Sequence, residues 1–343
     1  MDAISKFAET DVPTPKRRRA LYLAGLQHMV RGEFHVPDSF PALMANRHIN
    51  IDEVVNCALN QPAGPKLMRA YGEERFPRII GYYLTPVIEL FAEHELDGNF
   101  TVFPGDSRAS FKIPTFCKSR DLRHPGNSIL LPLKRELHFG AIRDLNKWDI
   151  PFGEKEDRLV WRGSTTGNFK MNSPLQPPSS RAFIPDVSPN LKTLDIDIGY
   201  SALTENISDS NLKTSEFEPF LKDRMSMRDQ LQAKYLLCLE GNDVATSLKW
   251  MLASNSVVIM PHPTVESWAC ESFLRPFTHY VPVKADLSDL EEVFEWCREH
   301  HEHCRRIAES GKAFMDAFSD RAVEKKLQRR VATGYAEKVT LRR

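Results

Sequence analysis

Tyr-Leu-Leu-Cys-Leu (235–239), then Glu240-Gly241-Asn242-Asp243-Val244-Ala245-Thr246-Ser247-Leu248-Lys249-Trp250, then the apolar run Ser256 to Met260, is the stretch that decides the fold. The first five residues have the length and apolarity of a buried strand. Gly241 ends that strand, and Asn242 or Asp243 is placed to cap a helix, since a short side-chain oxygen accepts from the free N–H groups of a first turn. Val244, Leu248, Met251 and Leu252 recur at helical spacing as one buried stripe. Ala245 and Lys249 lie four apart on a neighbouring column, so Lys249 projects from a helix that starts at a sheet edge. The second apolar run closes at Pro261 and reads as the next strand. Strand, glycine turn, helix, strand is the unit of a doubly wound sheet, and the helix N-terminus suits a phosphate. The stretch is neither a P-loop nor a dinucleotide fingerprint. Taken alone, these residues favour an ordinary βαβ unit with a solvated lysine over a phosphate site.

A chain of 343 residues is long enough for two domains. Lys and Arg number 46 against 46 Asp and Glu, a balance that argues against a general nucleic-acid binder. The six cysteines, at 57, 117, 238, 270, 297 and 304, contain no CxxC and read as reduced thiols of a cytoplasmic protein. Met1 to Pro15 carries Asp2, Glu9 and Asp11 and no apolar core, so it does not read as a signal peptide. No apolar run reaches spanning length, and any membrane contact is expected to be peripheral. Lys16-Arg17-Arg18-Arg19 is either a solvated segment or a contact with anionic lipid.

Along the chain, helices are expected at Leu21 to Val30, Asp52 to Leu59, Pro65 to Tyr71 and Thr85 to His94, and strands at Asn99 to Phe103, Pro114 to Lys118 and Ile129 to Leu133. Asp106 follows the first of these strands behind Pro104-Gly105, and by spacing alone it is a turn aspartate. The polar segment around 146–157 separates residues 1–150 from 151–315, and 316–343 read as a helix packing back across both. Arg158 to Trp161 is a strand that runs into Arg162-Gly163-Ser164-Thr165-Thr166-Gly167. Such a small-residue loop lets backbone approach a ligand, its hydroxyls and N–H groups suit phosphate oxygens, and Arg162 offers a fork for a diphosphate. A surface hairpin with one exposed arginine is the alternative. Asp195-Ile196-Asp197 places two carboxylates on one strand face, as a metal site requires, but inside an apolar strand, and reads as structural. Ser215 to Gln232 reads mostly as a polar helix starting near Pro219. Glu266 and Trp268 are equally suited to hydroxyl and stacking contacts with a ligand and to packing. Cys297, His301 and Cys304 share a helical face; without ligands from a second element they read as buried thiols beside solvated histidines rather than a zinc site.

Lys234-Tyr235, Glu240 to Thr246, Leu248-Lys249-Trp250, Ser254-Asn255-Ser256, Glu266-Ser267-Trp268, His279-Tyr280 and Asp286 to Leu290 occur in this order. The series resembles glycosyltransferase family 90, in particular its bacterial lipopolysaccharide-core and capsule-type members and, more distantly, the eukaryotic protein O-glucosyltransferases. Trp161-Arg162-Gly163-Ser164 is similar to the family's aromatic-Arg-Gly-Ser donor motif, and the likeness runs from about Asn99 to Phe314. It implies an α/β chain of GT-B type, two Rossmann-like lobes facing a central cleft, with the acceptor on 1–150 and the UDP-sugar on 151–315. It further implies inversion at the anomeric carbon, no essential metal, and no cofactor beyond the UDP-sugar donor. Asp106 stands where the family has its base, although its neighbours depart from the asparagine- and arginine-containing version of the eukaryotic relatives. The implied donor-binding set is Arg162, Gly163, Ser164, Thr165, Thr166, Gly167, Arg181, Gly241, Asn242, Asp243, Ala245, Thr246, Lys249, Glu266 and Trp268. Lys249 replaces an arginine frequent in the eukaryotic relatives. The acceptor implied is a saccharide or glycolipid, a lipopolysaccharide or capsule intermediate at the inner face of the cytoplasmic membrane. Two other classes remain: a metal-dependent transferase using Asp195 and Asp197, and a non-catalytic UDP-sugar-binding or membrane-associated scaffold.

Overall fold

The computed structural model describes residues 12–27, 29–106, 108, 110–133, 142, 145–171, 177–191 and 195–342. The chain is α/β, as expected, and divides into two compact units, with strands numbered here in chain order.

The mixed-sheet unit takes Pro13–Glu136, Val265–Cys270 and Phe318–Arg343. Its four-stranded sheet has the order β2 (Leu43–Ala45), β3 (Phe100–Val102), β4 (Thr115–Cys117), β6 (Ser128–Leu130). β2 runs antiparallel to β3, whereas β3, β4 and β6 are parallel, so their carboxyl ends share one edge. Val54–Leu59, Gly64–Tyr71 and Thr85–Glu93 are helices before β3, in close agreement with the spacing, and Phe76–Tyr83 is a further helix that was not expected. Phe91, Phe100, Phe116 and Tyr335 form an aromatic core, with Phe116 and Tyr335 ring centroids 4.5 Å apart. The Tyr335 hydroxyl donates to the Pro114 carbonyl at 2.9 Å, which satisfies the polar end of a ring buried for its apolar area. Two further pairs complete the unit: β5 (Ser119–Asp121) antiparallel with β11 (Val265–Ser267), and β1 (Gly32–His35) parallel with β13 (Val339–Arg342).

Two expectations in this unit are corrected. The first helix is Pro15–Tyr22, followed by a 3-10 turn at Ala24–Leu26, not Leu21 to Val30. Thr14 caps it through Arg17 N, and Pro15 supplies a pre-set φ in its first turn. The C-terminal helix, Arg321–Lys338, stops before the chain end, because Val339 and Leu341 alternate with exposed residues and pair as a strand.

The parallel-sheet unit falls mainly in Leu137–Thr264 and Glu271–Ala317. Its five strands are β7 (Glu156–Ser164), β8 (Ile196–Ala202), β9 (Ala233–Leu237), β10 (Val257–Met260) and β12 (Val281–Pro282). They lie in the order β12-β10-β9-β7-β8, all parallel. β9 and β10 are buried throughout, the pattern of central strands covered on both faces. Leu159, Trp161, Tyr235, Leu237, Ile259 and Phe294 belong to one core, joined by Cys297, Cys304 and Ile307 from the helices Leu290–Glu299 and His301–Asp316. The order of strands reverses between β7 and β9, the switch point whose carboxyl ends carry the ligand crevice in open α/β sheets.

The helix expected across Ser215 to Gln232 does not form. The stretch opens with 3-10 turns at Thr214–Glu216 and Glu218–Phe220, and Lys222 N then donates to the Tyr200 carbonyl at 2.8 Å, bridging Leu221 to edge strand β8. Only Met227–Gln230 is α-helical there, started by a capping box between Ser226 and Asp229. Among the described residues, no helix is long and apolar enough to cross a membrane.

Candidate functional site

At the switch point the segment after β7 meets the segment after β9. Gly167 N donates to Asn242 Oδ1 at 2.9 Å, and Asn206 Nδ2 donates to the Gly167 carbonyl at 3.0 Å and to Asn242 Oδ1 at 3.2 Å. Thr204 joins the same rim, its N–H donating to Thr165 Oγ1 at 2.7 Å and its hydroxyl to the Thr165 carbonyl at 2.8 Å. Ser179 Oγ donates to the Glu240 carbonyl at 3.0 Å. The Glu240 carboxylate accepts from Thr264 N at 2.8 Å and from the Thr264 hydroxyl, which draws in the loop after β10.

Two glycines make this closeness possible. Gly167 has φ 113°, a left-handed conformation, and a Cβ there would lie 2.7 Å from Ser179 Cβ. A Cβ on Gly241 would lie 2.6 Å from Thr166 Oγ1. Ser164 to Gly167 and Gly241 to Asn242 are therefore packed together, and of these Ser164, Thr166 and Asn242 keep exposure.

Arg181 ties these segments together. Its Nη1 donates to the Ser164 carbonyl at 2.9 Å and Thr166 Oγ1 at 2.7 Å, and its Nη2 to the Leu239 carbonyl at 2.8 Å. The guanidinium lies 5.7 Å from the Trp161 ring centroid. Burial lowers its pKa to about 10, so it remains a cation at neutral pH.

The other expected donor residues are distributed differently. Asp243 and Ala245 are buried and Thr246 is exposed, all three ahead of the helix rather than in its first turn. The helix is Leu248–Ala253, beginning after Ser247, not at Asn242. Asn242 binds the opposite loop instead of capping, so the helix dipole is displaced from the residues expected to exploit it. Lys249 is fully buried, its Nζ 2.9 Å from Glu271 Oε1, and is not a solvated projecting cation. Burial pushes the nearby Cys238 thiol up to about 12, against the pull of Lys249 and Arg181.

Gly163 lies within β7, where a Cβ would meet the Trp161 ring at 2.6 Å. Arg162 shares Val160's side of that strand by alternation. Its Nη2 donates to both Asp197 oxygens at 2.9 Å, and Lys222 Nζ reaches Asp197 Oδ1 at 2.8 Å. Burial alone pushes the Asp197 carboxyl up, but the hydrogen bonds from Arg162 and Lys222 outweigh it and hold the pKa below its ordinary value. Asp195 is 3.4 Å from Arg298 Nη1. Both carboxylates of the DxD triplet thus face protein cations. Cys297 and Cys304 are buried, and among the described residues no three His, Cys, Asp or Glu side chains gather as a metal set.

Asp106 belongs to the mixed-sheet unit, on the carboxyl edge of β3, β4 and β6. Its carboxylate is 2.6 Å from Lys118 Nζ, a buried lysine directly after β4, while the Asp106 side chain keeps 39% exposure. The turn before it is pinned by the Tyr71 hydroxyl, which donates to the Pro104 carbonyl at 2.6 Å. Glu266 and Trp268 also lie in this unit. Glu266 accepts from Arg120 Nη2 at 2.7 Å across the β5–β11 pair, and Trp268 is 1% exposed with Phe318 5.4 Å away. In this structure these two side chains serve packing and ion pairing, and neither offers an exposed face for a ligand.

Spacing singles out neither Thr204 nor Asn206, and Ser179 and Thr264 escape it too. The available signal is that each is a small polar residue shortly after a strand or on a loop that reaches a strand end, where the edge exposes function.

Residues 189–337 match the family model Glycosyl transferase family 90. The chain is similar to O-glucosyltransferase LpsA of Dichelobacter nodosus, 31% identical over 225 residues, covering 65% of this chain and 62% of that protein. It is also similar to Protein O-glucosyltransferase 2 of Danio rerio, 34% identical over 100 residues, covering 29% of this chain and 20% of that one. Uncharacterized protein 035R of Invertebrate iridescent virus 3 is 27% identical over 296 residues, covering 81% of this chain and 24% of its own length. The chain spans less than two thirds of the length of each of these relatives. Over residues 189–337 the chain is similar to glycosyltransferase family 90.

Proposed function

We propose that this chain is an inverting, metal-independent glycosyltransferase of GT-B type that moves a hexose or pentose from a UDP-sugar to a saccharide acceptor, a lipopolysaccharide or capsule intermediate. The observation that carries the reading is the rim at the switch point, where Gly167 and Asn242 join two loops over the Arg181 guanidinium. The family match supports transfer chemistry, and the name of the Dichelobacter relative supports a sugar donor. The pairing of Asp197 with Arg162 and Lys222 supports a reaction that does not use the DxD pair.

Asp106 acts as base in this reading and removes the acceptor hydroxyl proton as that oxygen attacks the anomeric carbon. The partly exposed carboxylate has one oxygen on Lys118, which keeps the side chain oriented. The departing UDP takes hydrogen bonds from the Ser164–Gly167 segment, which Asn206 holds in place through the Gly167 carbonyl, with positive charge from Arg181 behind it. Arg162 and Lys249 position strand and helix from their own ion pairs.

The test is slow hydrolysis of a panel of UDP-sugars by wild type and Asp106→Asn, each with and without EDTA. One donor hydrolysed equally with EDTA, and at least about a hundredfold more slowly by Asp106→Asn, is the expected result. Loss of hydrolysis with EDTA overturns metal independence, and equal rates in the variant remove Asp106 from the mechanism.

A further inference from the structure

The helix Arg321–Lys338 carries Arg321, Lys325, Lys326, Arg329 and Arg330 exposed. Glu324, Leu327, Val331 and Tyr335 of the same helix are buried, so the hundred-degree step gathers Lys325, Lys326, Arg329 and Arg330 on the outward side. Among the described residues none of these four is in an ion pair.

Of the three acids in residues 320–338, one is turned inward and one caps the helix. Glu324 points inward, with both oxygens 2.6 Å from Arg18 Nη2, a fully buried guanidinium on Pro15–Tyr22. Asp320 is used as the helix cap, accepting from Ala322 N at 2.8 Å and Val323 N at 3.1 Å. Glu337 is the one acid left exposed on this helix. The Arg18–Glu324 pair also fastens Pro15–Tyr22 alongside, which adds exposed Lys16 and Arg19. Residues 14–22 and 320–338 together hold ten Lys and Arg against three acids, in a chain whose formal net charge is zero. The charge is therefore segregated rather than general.

An exposed apolar side chain lies next in sequence to a residue that contacts the end of this helix. Val30 is 93% exposed, and its neighbour Arg31 donates through Nε to the Glu337 carbonyl at 3.2 Å, at the far end of the same helix. We propose that the outward side of Arg321–Lys338, with Lys16, Arg19 and the Val30–Arg31 turn, is a docking face for an anionic phospholipid bilayer. Clustered Lys and Arg suit lipid phosphates, and a projecting valine gains by entering the acyl boundary. A single-stranded nucleic acid fits less well, because stacking needs exposed aromatics, and the tyrosines of these two helices, Tyr22 and Tyr335, are buried. The inference is independent of the UDP-sugar reading, and its test uses no turnover.

The full chain is floated with vesicles of phosphatidylcholine alone or mixed with phosphatidylglycerol, at low and high salt. Binding to the mixed vesicles only, weakening as salt rises, is expected. The set Lys325→Glu, Lys326→Glu, Arg329→Glu and Arg330→Glu lowers the partition coefficient by at least about a hundredfold. The corresponding four Gln substitutions give a smaller loss, and circular dichroism of both sets checks that the helix is kept. Lys213→Glu with Lys284→Glu, exposed in the other unit, leaves partition unchanged. Val30→Asp weakens binding to mixed vesicles at high salt more than at low salt. Equal binding to both vesicle types, or wild-type partition by the folded four-Glu variant, overturns the proposal. Displacement of the chain from mixed vesicles by a single-stranded RNA at equal phosphate concentration overturns it in favour of a nucleic-acid surface.

Discussion

Asp197 shows how a residue read for one chemistry is used for another. Its carboxylate is shared by Arg162 and Lys222, and their hydrogen bonds outweigh burial to hold its pKa below the ordinary value. A depressed carboxyl stabilises the folded chain above its unfolded pKa, near 3.9, and the stabilisation is lost as pH falls through the lower folded value. Wild type is therefore expected to lose stability more steeply than Asp197→Asn as pH drops below about 4, read by urea midpoints across pH. At neutral pH the same substitution costs about 1–3 kcal/mol, since it leaves Arg162 without its carboxylate. Arg181 is the opposite case, a cation whose partners are carbonyls and a hydroxyl. Arg181→Lys keeps the charge and loses the fork, so UDP affinity is expected to fall about tenfold by calorimetry while the protein stays folded. An unchanged affinity would show that the two loops do not need this tie.

The loops after β7 and β9 work as one element because glycines let them touch. Gly241→Ala puts a methyl 2.6 Å from Thr166 Oγ1 and 3.3 Å from Arg181 Cζ. The expected outcome is loss of UDP-sugar binding, about tenfold or more, with a thermal midpoint shifted by only a few degrees. Equal losses of midpoint and binding would instead mark Gly241 as a packing residue. The short helix Leu248–Ala253 depends on a different contact, the buried pair of Lys249 with Glu271. Removing one partner strands a charge, so Lys249→Met is expected to cost about 3–5 kcal/mol in denaturant unfolding. Lys249→Met with Glu271→Leu should recover much of that loss, because replacing both charges removes the desolvation cost.

Each unit is assembled from separated parts of the chain. The mixed-sheet unit needs Tyr335 in its aromatic core and β13 beside β1, yet these residues come after the whole parallel-sheet unit in sequence. A fragment of residues 13–136 is therefore expected not to fold alone, as read by the absence of a cooperative thermal transition. Burying a ring such as Tyr335 contributes roughly 1.5–3 kcal/mol, a large part of the margin of a domain this size. A cooperative transition from the fragment would show that the core closes without its C-terminal contribution.

Local spacing was enough to read most helices before β3 and the strands of the parallel sheet, because caps, prolines and apolar runs act over a few residues. Phe100 to Val102, Tyr235 to Leu237 and Val257 to Met260 are strands for that reason. The loop Ser164–Gly167 and the turn at Gly241 were legible too, since small residues after a strand are a local signal. Partners distant in sequence were not legible. Thr204 and Asn206 join the rim through strand order, Lys249 finds Glu271 through packing, and Val339–Arg342 pairs with Gly32–His35 across nearly the whole chain. The sequence by itself determined the α/β class, the strand–glycine–helix unit and the family likeness, which reside in short-range pattern. Only the tertiary structure decided which charges are spent on one another and which loops share an edge, because burial and hydrogen-bond partners exist only once distant segments have met.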